Sequence, residues 1–99
     1  MSDGTLSATI LLRLNVENNN RFLRGRRRAI ESIVRHVLPV YGETRRLEHN
    51  EFQMTIRYRT DAELDKIMDD LLREIAFEAD LKNCFSESEA SFEGTGRSW

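Results

Sequence analysis

The chain has 99 residues, 39% of them hydrophobic and 32% charged, with a formal net charge of −2. That length makes one domain with a modest core, and the composition excludes a disordered chain. No apolar run approaches the length of a membrane span, no basic-then-apolar secretory signal opens the sequence, and a single cysteine, Cys84, excludes an internal disulfide.

The expected setting is therefore the reducing cytoplasm, with no membrane association, metal or cofactor. The whole chain, 1–99, reads as one domain with its core in 6–93 and flexible ends at 1–5 and 94–99. Charge is unevenly spread: residues 1–60 carry +5 and residues 61–99 carry −7. Arginine far outnumbers lysine, which occurs only as Lys66 and Lys82.

The first strand is expected over 8–17. Ala8, Ile10, Leu12, Leu14 and Val16 alternate with Thr9, Leu11, Arg13, Asn15 and Glu17, the period-two pattern of a half-buried strand. Asn18, Asn19 and Asn20 form a turn, and one of them caps the next helix. That helix spans 21–38, with Phe22, Ala29, Ile30, Ile33, Val34, Val37 and Leu38 on its apolar stripe. Its opening crowds Arg21, Arg24, Arg26, Arg27 and Arg28 around Gly25, where the helix dipole and like-charge repulsion both disfavour cations. The helix start falls at Arg21 or just after Gly25. Pro39 ends it.

Residues 40–48 read as a polar second strand and 51–59 as a third, with Phe52, Met54, Ile56 and Tyr58 on one face. His49-Asn50 forms the turn between them. The resulting register pairs Leu47 with Phe52, Tyr41 with Tyr58, Thr44 with Thr55 and Glu48 with Glu51. A second helix over 60–79 carries Leu64, Ile67, Met68, Leu71, Leu72, Ile75, Ala76 and Ala79 on one face. Asp65, Lys66, Asp69, Asp70, Arg73 and Glu74 lie on the other. Thr60 and Glu63 form a capping box at its start. Cys84, Ser86, Ser88, Ala90 and Phe92 alternate with Phe85, Glu87, Glu89 and Ser91 as a last strand over 84–92.

Strand, helix, strand, strand, helix, strand is the order of a ferredoxin-like, split βαβ domain. Right-handed crossovers place both helices on one face of a four-stranded antiparallel sheet. The apolar strands 8–17 and 51–59 become its centre and the polar strands its edges. The expected class is thus α+β, ferredoxin-like βαββαβ. That fold hosts many functions and implies none.

The cluster Arg21, Arg24, Arg26, Arg27 and Arg28 is the sharpest chemical feature. It reads either as a phosphate-gripping surface for RNA or DNA, extended by Arg13, Arg57 and Arg59, or as a basic patch met by the acidic residues Asp65, Asp69 and Asp70 of the same chain or a neighbour. Base stacking on the sheet is disfavoured, because the outward face of the central strands carries no aromatic residue. Glu87 and Glu89 share a strand face beside Arg13, which points to cross-strand pairing rather than acid–base catalysis. His36, His49 and Cys84 lack metal-ligand spacing. No nucleophilic triad and no phosphate-binding glycine loop is present. Trp99 is a candidate interface anchor.

These features lead to a small non-catalytic interaction module that acts as a homodimer or on a protein partner. Nucleic-acid binding through the arginines is the alternative.

Overall fold

In the computed structural model, which describes residues 4–18 and 24–99, the two alternating apolar stretches become the middle of a sheet. β1 (Leu6–Arg13) and β4 (Glu51–Tyr58) pair antiparallel over their full length, from Leu6 opposite Tyr58 to Arg13 opposite Glu51. Ala8, Ile10 and Leu12 of one strand and Phe52, Met54, Ile56 and Tyr58 of the other are buried. β3 (Glu43–Glu48) flanks β4 and β6 (Glu89–Phe92) flanks β1, giving the order β3-β4-β1-β6. Every pairing is antiparallel. The two polar strands take the outer positions.

The strands expected over 8–17 and 84–92 are each interrupted. β2 (Val16–Asn18) and β5 (Cys84–Ser86) form a separate two-stranded ladder. The interruptions face one another, and the register runs on unchanged across them: Arg13 opposes Glu89, and Val16 opposes Ser86. Glu87 N–H donates to the Asn15 carbonyl at 2.8 Å, and Asn15 Nδ2 donates to the Glu87 carbonyl at 3.1 Å. The two strands therefore bend together rather than slip. A one-residue slip would turn Leu14, Val16 and Cys84, all buried, out to solvent.

α1 (Arg24–His36) and α3 (Asp61–Leu81) supply the other half of the core. Ala29, Ile30 and Ile33 of α1 and Leu64, Met68, Leu71, Ile75 and Ala79 of α3 join the same buried cluster as the strands. Full burial of each large apolar side chain here stabilises by about 1.5–3 kcal/mol. Thr60 caps α3 in an extended conformation, its Oγ1 accepting from Glu63 N–H at 3.1 Å. The buried stripe is narrower than expected: Ile67 and Leu72 are half-buried and Ala76 is exposed. Ser32 Oγ donates to a Glu78 carboxylate oxygen, tying α1 to α3. The residues expected to open the first helix, including Arg21 and Phe22, and the turn residues Asn19 and Asn20 lie outside the described residues.

Two local expectations are corrected. The second strand begins at Glu43 rather than Val40, because α2 (Leu38–Tyr41) is a short helical turn with Pro39 in its first positions. Proline suits that place, since its fixed φ is helical and no N–H is needed there. The hairpin register also shifts. Glu48 does face Glu51, but Arg46 faces Phe52 and Thr44 faces Met54, with an irregularity between Arg46 and Glu48. Leu47 is the extra residue of a bulge and is 44% exposed. Inserting one residue exchanges the faces of everything before it. Arg46, expected to alternate away from Phe52, therefore lies beside it.

Residues 94–99, expected to trail from the core, instead turn back on β6. Phe92 N–H donates to the Arg97 carbonyl at 2.8 Å, and Trp99 N–H donates to the Ala90 carbonyl at 2.8 Å. Ser91 and Ser98 form an antiparallel bridge.

The architecture is α+β: a four-stranded antiparallel sheet with two long helices, compatible with a ferredoxin-like arrangement. No helix among the described residues is long and apolar enough to cross a membrane.

Candidate functional site

The arginine-rich start of α1 acquires neighbours from a distant part of the chain. Arg26, Arg27 and Glu31 of α1, Arg46 at the bulge of β3 and His49 in the β3–β4 turn line one open groove of about 500 Å³. Each element places its residue for a local reason. The bulge at Leu47 turns Arg46 onto Phe52, whose ring lies 5.4 Å from the guanidinium carbon. The turn carrying His49 is held by Asn50, which exchanges two bonds with the end of β1. Leu14 N–H donates to the Asn50 carbonyl at 2.8 Å, and Asn50 Nδ2 donates to the Leu14 carbonyl at 3.2 Å. Glu31 lies one helical turn after Arg27, on the same side of α1.

Arg46 is the joint of this arrangement. Its Nη2 donates to Glu31 Oε1 at 2.8 Å and to the His49 carbonyl at 2.8 Å. The Arg46 hydrogen bond, with the positive charges of Arg46, His49 and Arg27 behind it, holds the Glu31 carboxyl below its usual range against a smaller opposing effect of burial. The groove sets three guanidinium groups against one carboxylate. No acidic residue stands in the first turn of α1 to offset them, and the positive end of the helix dipole adds to the same field. The geometry suits an anion: planar bidentate donors, one of them already fixed in orientation, around an open concavity.

The remaining candidate residues distribute as follows. Arg26, Arg27 and Arg28 are all exposed on α1. Arg24 is the first residue of α1, and Arg21 lies outside the described residues. Asp65, Asp69 and Asp70 stand on α3 and have other neighbours. Asp65 accepts from Arg97 and from Trp99 Nε1, the latter at 3.0 Å. Asp69 pairs with Arg73 at 2.7 Å, one turn along the same helix. Asp70 is half-buried and, behind Glu74, helps push the Tyr41 hydroxyl pKa upward, an effect led by burial. Trp99 is half-buried against its own core, with the Arg97 guanidinium 5.3 Å from its ring. Arg57 and Arg59 are exposed. Arg13 bonds Glu51 through Nε at 3.2 Å and Nη2 at 2.9 Å, although Glu89 is its backbone neighbour on the other side. Among the described residues no group of three His, Cys, Asp or Glu side chains gathers at metal-binding distance.

Reading the sequence locally did not find Arg46, His49 or Glu31 as members of a site. The only signal was the paired Arg45-Arg46 in a strand too polar to be central.

No protein-family model, curated protein or solved structure matches this chain.

Proposed function

We propose that this chain is a small non-catalytic interaction module whose working surface is the basic groove between α1 and the β3–β4 turn. The observation that supports it is the convergence of Arg26, Arg27, Arg46 and His49 around a single carboxylate. The partner that fits best is a polyanion, and the phosphate backbone of RNA or DNA has the charge density and the bidentate acceptors such a surface holds. The acids once expected to answer these arginines favour the same reading. Asp65 and Asp69 hold Arg97 and Arg73, so within one chain these two acids do not answer the α1 arginines.

A second reading, a homodimer or a protein partner, is favoured by the outer edge of β3. That strand ends the sheet on its side and exposes Leu47 at its bulge, and an open edge accepts an added strand. We further infer that β1–β2 and β5–β6 are each one bent strand, supported by the register that runs on across them, which makes the chain a ferredoxin-like βαββαβ domain. We infer a cytoplasmic setting as well, in keeping with a sequence whose single cysteine, Cys84, is buried.

The test is a fluorescence-anisotropy titration of labelled single-stranded RNA and duplex DNA at low and moderate salt. Three arginines on phosphates give a log–log salt slope of about −3 on duplex DNA, and Arg26→Ala with Arg27→Ala reduces it by about 2. Absence of binding at low salt, or binding that the double variant leaves intact, refutes the nucleic-acid reading. The β3 edge would then be the surface to pursue.

A further inference from the structure

A guanidinium grips a phosphate best along one edge, with two parallel N–H bonds to two oxygens. Arg46 has two such edges, Nε with Nη2 and Nη1 with Nη2, and Nη2 belongs to both. That nitrogen carries two protons. One is donated to Glu31 Oε1 at 2.8 Å and the other to the His49 carbonyl at 2.8 Å. Arg46 therefore lines a groove suited to an anion while both of its edges are already engaged at their shared nitrogen.

The two acceptors are held differently. The His49 carbonyl belongs to the β3–β4 turn, which Asn50 ties to Leu14 at the end of β1. Glu31 reaches Arg46 with a side chain that is 44% exposed, and it is the carboxylate among the residues that line the groove. Its neighbours there, Arg46, Arg27 and His49, all act on it as positive charges. Arg46 keeps its place without Glu31, because the His49 carbonyl holds Nη2 and the Phe52 ring lies 5.4 Å from the guanidinium carbon. The turn and the core thus suffice to orient Arg46.

We propose that Glu31 is a built-in competitor of this groove: its carboxylate occupies the edge of Arg46 that a nucleic-acid phosphate requires, and so it sets the affinity of the surface. The proposal rests on the reading of the groove as a nucleic-acid interface. A phosphate that takes Arg46 by an edge displaces Glu31 from Nη2, and the displaced carboxylate then stands beside the incoming charge. Both effects oppose binding. A carboxylate that served instead to orient Arg46 for its ligand would have the opposite effect, so the sign of the change on neutralising Glu31 separates the two roles.

The experiment titrates a labelled single-stranded RNA by fluorescence anisotropy at one low salt concentration. It compares the parent chain, Glu31→Gln, Arg46→Met and the double variant, at a temperature where circular dichroism shows all four folded. Glutamine keeps the shape of Glu31 and an acceptor oxygen for Arg46 while removing the charge. Glu31→Gln should tighten binding about tenfold, through an exposed ion pair that is no longer broken and a repulsion across water that is no longer met. In the Arg46→Met background the same substitution should gain about threefold or less, because only the repulsion remains. Binding by Glu31→Gln where the parent does not bind also supports the proposal, since the carboxylate is then what excludes the phosphate. Parent binding that Glu31→Gln leaves unchanged or weakens overturns the proposal while the groove reading stands. An equal gain in both backgrounds overturns it too, for Glu31 would then act as a general charge and not through Arg46. Absence of binding by both the parent and Glu31→Gln ends the groove reading and the proposal together.

Discussion

Replacing Arg46 with Met removes the guanidinium while keeping an unbranched stem over Phe52. Three interactions are lost. The Glu31 pair, with side chains 37% and 44% exposed, contributes about 0.5 kcal/mol after solvent screening. The bond to the His49 carbonyl contributes about 1 kcal/mol, the value for an ordinary hydrogen bond, since the site is open to water. The cation–π contact with Phe52 adds about 0.5 kcal/mol. Arg46→Met should therefore cost about 2 kcal/mol, and for a domain of this size Tm should fall by roughly 8–16 °C. The variant also changes the acid limb of stability. Glu31 is held below its usual range by Arg46, so its contribution is present above its unfolded pKa, near 4.5, and is lost as pH falls through the lower folded value. Arg46→Met should flatten that loss between about pH 5 and pH 3. Thermal melts by circular dichroism across that range measure both effects. A Tm change under about 2 °C with an unaltered acid limb would refute the reasoning, for Arg46 would then be a solvated side chain that organises nothing.

Gly42 lies in extended backbone, φ 171, which any residue adopts, yet a Cβ there would stand 2.2 Å from the Thr55 carbonyl oxygen. Gly42→Ala should destabilise by about 1–3 kcal/mol through backbone displacement at the start of β3, and an unchanged melt would contradict the close approach. Tyr41 is half-buried, and burial, with Glu74 and Asp70 behind it, raises its hydroxyl pKa above 10.0. The unfolded chain ionises first, so this contribution is full below the unfolded pKa and is lost as pH rises through the folded one. Stability should fall above about pH 10, and Tyr41→Phe should lessen that fall in a denaturant series at pH 9 to 11.

Much of the architecture was legible along the chain because it depends on local period. Ala8 to Val16 and Phe52 to Tyr58 alternate, and the side of each residue follows from that alternation whatever strand lies beside it. Thr60 and the steps of three and four from Leu64 to Ala79 mark α3 in the same way. The polarity of 43–48 foretold an edge. What local period does not encode is which residue pairs with which, and one inserted residue at Leu47 was enough to put Arg46 on Phe52. Nor does it encode returns of the chain upon itself. The returning segment at 97–99 is short and polar apart from Trp99, and it takes its place from β6, from Asp61 and Asp65 of α3 and from the core under Trp99. The basic groove is the fullest case. Arg26 and Arg27 were visible as a cluster, whereas Glu31, Arg46 and His49 joined them only when packing brought α1 beside the β3–β4 turn. Local pattern was enough for the α+β class, the core faces of β1, β4 and α3, and the density of arginine. The tertiary structure decided the register, the fate of each acidic residue and the composition of the groove, because each of these is a contact between residues far apart in the chain.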